Sequence, residues 1–132
     1  GTVDRTMLDD RTATIAVVGA TDTPGKYGRR IYRDLKAKGF TVYPVNPSVD
    51  TVDGDTCYSS LADLPRQVDI VDIVVPPSVG LRVLGELPDP VPFIWLQPGA
   101  ESESIVKLLD QSAVDYLADG SCIMVETRAV RR

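Results

Sequence analysis

A glycine-bearing loop with basic neighbours is the part of this sequence best suited to binding a ligand. The apolar run 14–18 ends in Gly19, and further glycines follow at 25 and 28. Lys26, Arg29 and Arg30 accompany the last two glycines. Backbone N–H groups in such a loop, at the start of a helix, are typical of phosphate sites because the helix dipole favours an anion. The stretch 19–30 therefore predicts a phosphate-binding turn.

Basic residues continue beyond this loop in a protein whose formal net charge is −5. Between positions 26 and 38 there are six basic residues and one acid, Asp34. Positions 29, 33 and 36 are spaced by four and three, which places them on one helical face. We expect the basic residues beside the glycines to contact phosphate, and we expect Arg33, Lys36 and Lys38 to lie on a solvated outer face.

The loop departs from two familiar nucleotide-binding signatures. Thr21 stands where the dinucleotide signature G-x-G-x-x-G requires its second glycine, and Asn46, at the next strand end, is not the acid that would hold an NAD ribose. Five residues separate Gly19 from Gly25, where a Walker A loop has four, and Tyr27 replaces its Ser or Thr. Both NAD binding and nucleoside triphosphate hydrolysis are therefore disfavoured.

Catalytic groups are harder to find than binding groups. The chain has no histidine, so Ser–His–Asp and Cys–His arrangements cannot form within it. Cys57 and Cys122 lack metal-ligand spacing, and no metal site is predicted. Asp69 and Asp72 are expected on opposite faces of a strand, with Asp72 hydrogen-bonded near a strand edge or a helix end. A binding role is favoured over an enzymatic one, and Cys122 stays open as a nucleophile or as a thiol that forms a mixed disulfide with a ligand.

Apolar runs alternate with helical stretches along the chain, which predicts βαβ units and a parallel sheet. Strands are expected at 14–18, 40–45, 68–75, 92–97 and 114–118, with a final edge segment over 122–125. Helices are expected over 29–38, over 79–87 with Ser78 as N-cap, and around 103–109; a short helical turn is expected at 60–64, after a loop that contains Asp53-Gly54. The predicted fold is a Rossmann-like, doubly wound, mainly parallel five-stranded sheet in a three-layer α/β/α arrangement.

The expected domain organisation is simple. Residues 1–12 are interpreted as an N-terminal arm, 13–127 as one Rossmann-like domain and 128–132 as a basic C-terminal tail. Ligands of such sheets bind beyond the carboxyl ends of the strands, where the strand order reverses. The acidic balance argues against nucleic acid as a partner, and no apolar run approaches the ~20 residues that span a bilayer. A cytoplasmic location is expected.

The sequence resembles the small stand-alone CoA-binding domains, which are similar to the N-terminal domain of the succinyl-CoA synthetase alpha subunit. The resemblance covers about residues 12–126. It is carried, in order along the chain, by these segments: Ile15–Thr21, Tyr43–Pro47, Tyr58 with Ser60-Leu61, Val68–Asp72, Val75–Pro77, Trp95–Gly99 and Cys122–Glu126. One departure is Asp119-Gly120-Ser121-Cys122, where the family usually has Asp-Arg-Cys.

The resemblance implies coenzyme A as the ligand and assigns parts of its path. Gly19, Thr21, Tyr27 and Gly28 would line the phosphate and pantetheine path. Asn46-Pro47 would border the adenosine end, and Pro76 with Leu96-Gln97 would close the pocket. Together with the loop argument, the candidate binding residues are Gly19, Ala20, Thr21, Gly25, Lys26, Tyr27, Gly28, Arg29, Asn46, Pro47, Val75, Pro76, Leu96 and Gln97.

Three functional hypotheses follow. The first is a non-catalytic module that binds CoA or acyl-CoA as a carrier, sensor or regulator. The second is a nucleotide-binding regulator that responds to NAD(H). The third is a subunit that supplies the CoA site to an acyl-CoA ligase. A homodimer or a ligase subunit is the expected protein partner.

Overall fold

A computed structural model describes residues 3–128 of the chain. Its elements, in chain order, are α1 (Arg5–Asp9), β1 (Thr14–Val18), α2 (Tyr27–Ala37), β2 (Thr41–Val45), β3 (Thr51–Val52), β4 (Asp55–Thr56), a 3₁₀ helix (Leu61–Asp63), β5 (Ile70–Ile73), α3 (Pro77–Leu84), β6 (Phe93–Leu96), α4 (Glu103–Gln111), β7 (Tyr116–Leu117) and α5 (Ile123–Glu126).

The main sheet has five strands in the order β2-β1-β5-β6-β7. All four of its strand pairs are parallel, so the predicted doubly wound sheet is confirmed. The chain moves outward from β1 to β2 and then returns to place β5 on the other side of β1. The strand order therefore reverses between β1 and β5, which is where this fold class opens a crevice for ligands.

Two apolar layers cover the sheet and give the predicted three-layer arrangement. On one face, Ile15 and Val17 of β1 pack with residues of α1, α2 and α5, including Tyr32 and Ile123. On the other face, Ala16 and Val18 pack with residues of α3, α4 and the 3₁₀ helix. Alternation of side chains along a strand places neighbours on opposite faces, so the fully buried β1 contributes to both layers.

Several element predictions need correction. The segment 122–125 is not an edge strand: Ile123–Glu126 is the helix α5, whose Ile123 is fully buried on the α2 face. The third helix begins at Pro77, not after Ser78, because proline at the first helical position already has the required φ. Asp53-Gly54 is the tip of a β3–β4 hairpin and not a plain loop.

The N-terminal segment interpreted as an arm contains the helix α1, which begins after Asp4 and buries Leu8 in the core. Asp4 caps this helix by accepting a hydrogen bond from the backbone N–H of Met7. Most of the basic tail, residues 129–132, lies outside the described residues. No helix among residues 3–128 has the length and apolar character that a membrane span needs.

Candidate functional site

Two cavities open at the carboxyl ends of the strands, on either side of the point where the strand order reverses. The first, of about 500 Å³, lies between the ends of β1 and β2, the 3₁₀ helix and α3. The second, of about 340 Å³, lies between the start of α2, the ends of β5 and β6, and Cys122. Val75, which follows β5, lines both cavities. An extended ligand lying across Val75 would therefore reach both.

The β1–α2 loop lies between these cavities, with Gly19 lining the first and Tyr27 the second. Thr21 stabilises the turn by accepting a hydrogen bond from the Thr23 N–H at 3.2 Å. Gly25 has a positive φ of 83°, and Lys26 occupies the N-cap of α2 without a side-chain capping bond. The first N–H groups of α2 are thus not capped by the Lys26 side chain, as a phosphate site requires.

Two glycines bring this loop and the helix close to the sheet. Gly19 has a φ of 101°, and a Cβ there would lie 2.8 Å from the Val75 side chain. A Cβ on Gly28 would overlap the carbonyl oxygen of Gly19. Both positions therefore require glycine for steric reasons, and they allow α2 to begin directly against the end of β1.

Asn46 connects the loop after β2 to the loop after β1. Its Nδ2 donates to the Ala20 carbonyl oxygen at 3.0 Å, and its Oδ1 accepts from the Ser48 N–H at 2.9 Å. The amide thus satisfies one donor and one acceptor that an Asp could not both satisfy at neutral pH. Asn46 and Pro47 line the first cavity beside Gly19.

Replacing Asn46 by Asp is expected to lower the free energy of unfolding by about 1–2 kcal/mol at pH 7, because a carboxylate would face the Ala20 carbonyl oxygen in place of a donor. Urea unfolding at pH 7 and pH 4 measures this. The loss should shrink at pH 4, where part of the carboxyl is protonated and able to donate again. Equal stability of the two proteins at pH 7 would show that the amide bond contributes nothing.

Gln97 organises the second cavity. Its Nε2 donates to Cys122 Sγ at 3.3 Å, and its Oε1 accepts from the Ile123 N–H at 2.9 Å. Gln97 is buried, and it fixes the segment that begins α5 against the end of β6. Tyr27 lies at the rim of this cavity with 64% of its surface exposed, where a bound ligand would cover it.

The basic residues of α2 divide into two groups. Arg33 pairs with Asp22 and Asp53, and Lys36 pairs with Asp53 and Asp55, so α2 is joined to the first loop and to the β3–β4 hairpin. Lys38 is half-buried and donates to the Met124 carbonyl and to Thr127. Arg33 and Lys36 therefore lie on an exposed face, as expected, where acidic side chains pair with them. Lys38 departs from the expectation because its side chain is mostly buried, and it pairs with Asp34.

Two of the aspartates in these ion pairs have lowered pKa values. The Asp53 backbone N–H and the Arg33 guanidinium lower the pKa of Asp22. Hydrogen bonds from Lys36 and the Tyr32 hydroxyl lower the pKa of Asp55. Lys26 and Arg30, in contrast, make no ion pair with the described residues, and the buried Nε of Arg29 has no hydrogen-bond partner there. Among the basic residues from 26 to 38, those beside the glycine loop are therefore the ones left available to an anionic ligand.

The structure separates the candidate residues into three groups near the crevice and one residue in the core. Gly19, Asn46, Pro47 and Val75 line the first cavity, and Tyr27, Val75, Pro76 and Gln97 line the second. The loop residues that line neither cavity lie in or next to the turn between them: Ala20, Thr21, Gly25, Lys26, Gly28 and Arg29. Leu96 is 1% exposed, packs in the core on the α3 and α4 face and lines neither cavity.

The sequence interpretation missed much of the wall of the first cavity. The missed lining residues are Val18, Val45, Ser48, Ser59, Ser60, Leu61, Ala62, Val79, Arg82, Val83 and Glu86. Ser59 and Arg82 are separated by more than twenty residues and follow no motif. Only the packing of the 3₁₀ helix and α3 on the same face of the sheet brings them to one cavity.

Asp69 and Asp72 have different surroundings. Asp69 accepts two hydrogen bonds from Thr14, through its N–H at 2.8 Å and its hydroxyl at 2.9 Å. Asp72 is completely buried in β5, and neither carboxylate oxygen has a hydrogen-bond partner among residues 3–128, so the expected hydrogen bonding is wrong. Burial raises the pKa of Asp72 well above its ordinary value. No group of three His, Cys, Asp or Glu side chains in the described part of the chain is placed to hold a metal.

Curated proteins with similar sequences include ligases and a small domain. The ADP-forming acetate–CoA ligase of Methanocaldococcus jannaschii is 40% identical over 73 residues, 55% of this chain but only 10% of the ligase. The chain thus spans about a tenth of the length of that relative. The uncharacterized protein YneT of Bacillus subtilis is 29% identical over 116 residues, which cover 87% of this chain and 85% of YneT.

Solved structures and a family profile complete the comparison. A conserved hypothetical protein from Pyrococcus furiosus is 47% identical with a TM-score of 0.78, over 87% of this chain and 99% of that one. An acetyl-coenzyme A synthetase from Candidatus Korarchaeum cryptofilum is 32% identical with a TM-score of 0.73, over 89% of this chain and 27% of the synthetase. The family profile described as CoA binding domain matches residues 13–128. This chain therefore belongs to the CoA-binding domain family, which is related to the CoA-binding part of ADP-forming acyl-CoA ligases.

Proposed function

We propose that this domain binds coenzyme A or an acyl-CoA at the carboxyl ends of its strands, as a non-catalytic carrier, sensor or regulatory module. The observation that carries the proposal is the pair of cavities that share Val75 as a lining residue, with the glycine loop between them. Coenzyme A has the matching parts: a nucleotide, a pyrophosphate and an extended pantetheine arm whose thiol carries acyl groups as thioesters.

The residues present fit such a ligand. The pyrophosphate would lie at the start of α2, where Gly19 and Gly28 leave no side chain in the way and Lys26 and Arg29 supply positive charge. The mostly apolar first cavity suits a nucleobase. The second cavity, with Tyr27, Gln97 and Cys122 at its walls, suits the pantetheine arm.

Calorimetric titration with CoA, acetyl-CoA, NAD⁺, NADH and ATP tests the proposal. CoA or acetyl-CoA is expected to bind more tightly than the other three ligands. Tighter binding of NADH would favour an NAD(H)-responsive regulator instead. Absence of binding by CoA and acetyl-CoA at millimolar concentration would overturn the proposal.

The phosphate site gives a mutational prediction. The double variant Lys26→Ala/Arg29→Ala is expected to weaken CoA binding by about 100-fold, since a charge-assisted hydrogen bond contributes roughly 1.5–3 kcal/mol and about 1.4 kcal/mol is a factor of ten. The variant Arg66→Ala/Lys107→Ala loses the same charge at exposed positions away from the two cavities and is the matched control.

Titration of both double variants with CoA at one salt concentration separates two explanations. A local phosphate site requires the first variant to bind far more weakly than the second. Similar losses in both would mean that overall charge, and not contact at the loop, attracts the ligand. Lys36 and Lys38 are less suitable as controls because their ion pairs and hydrogen bonds link α2 to other elements.

A second role rests on the ligase relatives, which contain a segment similar to this chain within much longer proteins. In that role the domain would supply the CoA site to an acyl-CoA ligase assembled with a separate chain. Affinity purification of the tagged protein from its native cells tests this. A co-purifying chain with an ATP-binding fold would support a ligase subunit, whereas a lone homo-oligomer would argue against it.

A further inference from the structure

Arg82 is a cation that no other residue of the described chain neutralises. It stands in the last turn of α3 and lines the first cavity. Its guanidinium makes no ion pair or hydrogen bond with the residues from 3 to 128. Arg33 on α2, by comparison, is paired with two aspartates. Arg82 is therefore available to an anion inside the cavity.

Hydroxyl groups accompany Arg82 in the cavity wall. Ser48 and Ser59 both line the cavity, and their hydroxyls make no hydrogen bond with the described residues. Ser60 also lines it, and its hydroxyl is hydrogen-bonded to Asp63. A guanidinium with neighbouring hydroxyl donors is a donor set that matches a phosphate monoester, because arginine can present two parallel N–H groups to it.

The apolar residues of the same cavity define where the rest of the ligand would lie. Val18, Val45, Leu61, Val79 and Val83 contribute apolar side chains to its wall, which suits a flat base. The glycine loop at the cavity's edge is a separate anion site, because it is built from backbone groups at the start of α2. The crevice therefore has two places for negative charge, on either side of an apolar surface.

We propose that Arg82 binds the ribose 3′-phosphate of coenzyme A and thereby selects CoA over nucleotides that lack this group. The proposal rests on the proposed function and adds its specificity determinant. CoA carries a pyrophosphate and, on the other side of its ribose, a phosphate monoester with a charge of about −1.5 to −2 at neutral pH. Dephospho-CoA has the pyrophosphate and the pantetheine arm but no monoester. The difference between its affinity and that of CoA therefore measures the contribution of the contact between Arg82 and the monoester.

Glu86 follows the end of α3, four residues after Arg82, and also lines the cavity. The two side chains form no ion pair in the structure. A carboxylate on the cavity wall disfavours a bound phosphate, so Glu86 opposes the attraction exerted by Arg82. Removing its charge should therefore favour CoA more than dephospho-CoA.

The experiment compares CoA with dephospho-CoA by calorimetry at fixed salt, using the whole chain and the variants Arg82→Gln, Arg82→Lys, Glu86→Gln and Arg66→Gln. Arg66 is exposed at the amino-terminal edge of the sheet, so Arg66→Gln removes the same charge elsewhere. The unmodified protein is expected to prefer CoA by about tenfold or more. Arg82→Gln should reduce that ratio to near one, because it should weaken the binding of CoA far more than that of dephospho-CoA.

The remaining variants test whether the preference for CoA depends on the charges at positions 82 and 86. Arg82→Lys should retain part of the preference, Glu86→Gln should increase it, and Arg66→Gln should leave it as it is. If CoA and dephospho-CoA bind the unmodified protein equally, or if Arg82→Gln leaves the preference intact, the assignment of Arg82 is overturned and CoA binding stands. If neither compound binds the unmodified protein, the proposed function itself falls.

Discussion

Replacing Gly28 by Ala is expected to lower the free energy of unfolding by about 3 kcal/mol or more and to abolish measurable CoA binding. A Cβ at this position overlaps the carbonyl oxygen of Gly19 and lies 2.9 Å from its carbonyl carbon. Both atoms belong to backbone that is held in place, since the Gly19 N–H donates to the Val45 carbonyl at 2.9 Å. The start of α2 must therefore move away from β1, at a cost at the upper end of the ~1–3 kcal/mol typical of overpacking.

Helix propensity alone predicts the opposite outcome, because Ala is favoured over Gly inside a helix by about 1 kcal/mol. Gly80 of α3 offers the matched control: it too is helical, but a Cβ there would meet only side-chain carbons, the nearest being Ile73 Cγ2 at 3.4 Å. Gly80→Ala should be close to neutral or slightly stabilising.

Urea unfolding of both variants, followed by CoA titration at a concentration where each is folded, measures the two effects. The expected pattern is a large loss of stability for Gly28→Ala beside little change for Gly80→Ala. Comparable stabilities for the two variants would show that α2 does not approach β1 as closely as the structure indicates.

The fold was predictable because the sequence repeats a simple pattern. Apolar strand segments such as 14–18 end in turn residues, and each is followed by a helix-length stretch, so a parallel sheet with helices on both faces is the natural solution. The strand ends then define the crevice before any coordinates are known. Gly19, Asn46 and Gln97 could be placed at this edge for that reason alone.

The short C-terminal segment was not predictable in the same way. Residues 122–125 are a brief apolar run, and four residues do not distinguish a strand from a helical turn by periodicity. Tertiary contacts decide the outcome: Gln97 accepts a hydrogen bond from the Ile123 N–H, and Ile123 packs into the layer formed by α2. These partners lie far away along the chain, so no local pattern records them.

The ion pairs of α2 and the wall of the first cavity likewise depend on residues that lie far apart along the chain. Arg33 and Lys36 have the spacing of an exposed basic face, and only the β3–β4 hairpin, with Asp53 and Asp55, converts that face into a network. Arg82 likewise has no local motif. Its significance depends on the neighbouring cavity, and the packing of α3 on the sheet creates that cavity.

Asp72 is expected to make the free energy of unfolding depend strongly on pH. The side chain is 0% exposed in β5, between Val17 of β1 and Trp95 of β6. With both oxygens unpartnered among the described residues, the charged form is disfavoured and the pKa of Asp72 is raised by burial. The folded protein therefore holds a proton on Asp72 under conditions in which the unfolded chain, with an ordinary pKa near 3.8, has lost it.

The sign of the pH dependence follows from this difference. Below pH 3.8 both states are protonated and Asp72 costs no ionisation energy. As the pH rises above that value, unfolding releases a proton, so the contribution of Asp72 to stability falls by about 1.4 kcal/mol for each pH unit until the folded pKa is reached. Asp72→Asn removes this dependence because the amide is nearly isosteric with the protonated carboxyl and does not titrate.

Asp72→Asn is therefore expected to raise the free energy of unfolding increasingly as the pH rises from 4 towards 8, and to change it least at pH 4. Urea unfolding of both proteins across pH 4–8 measures the difference, and Asp69→Asn is the control. Asp69 accepts two hydrogen bonds from Thr14, so its amide variant should be destabilised at neutral pH. A pH-independent difference between Asp72→Asn and the unmodified protein would mean that Asp72 is ionised in the fold, with a counter-charge that the structure does not show.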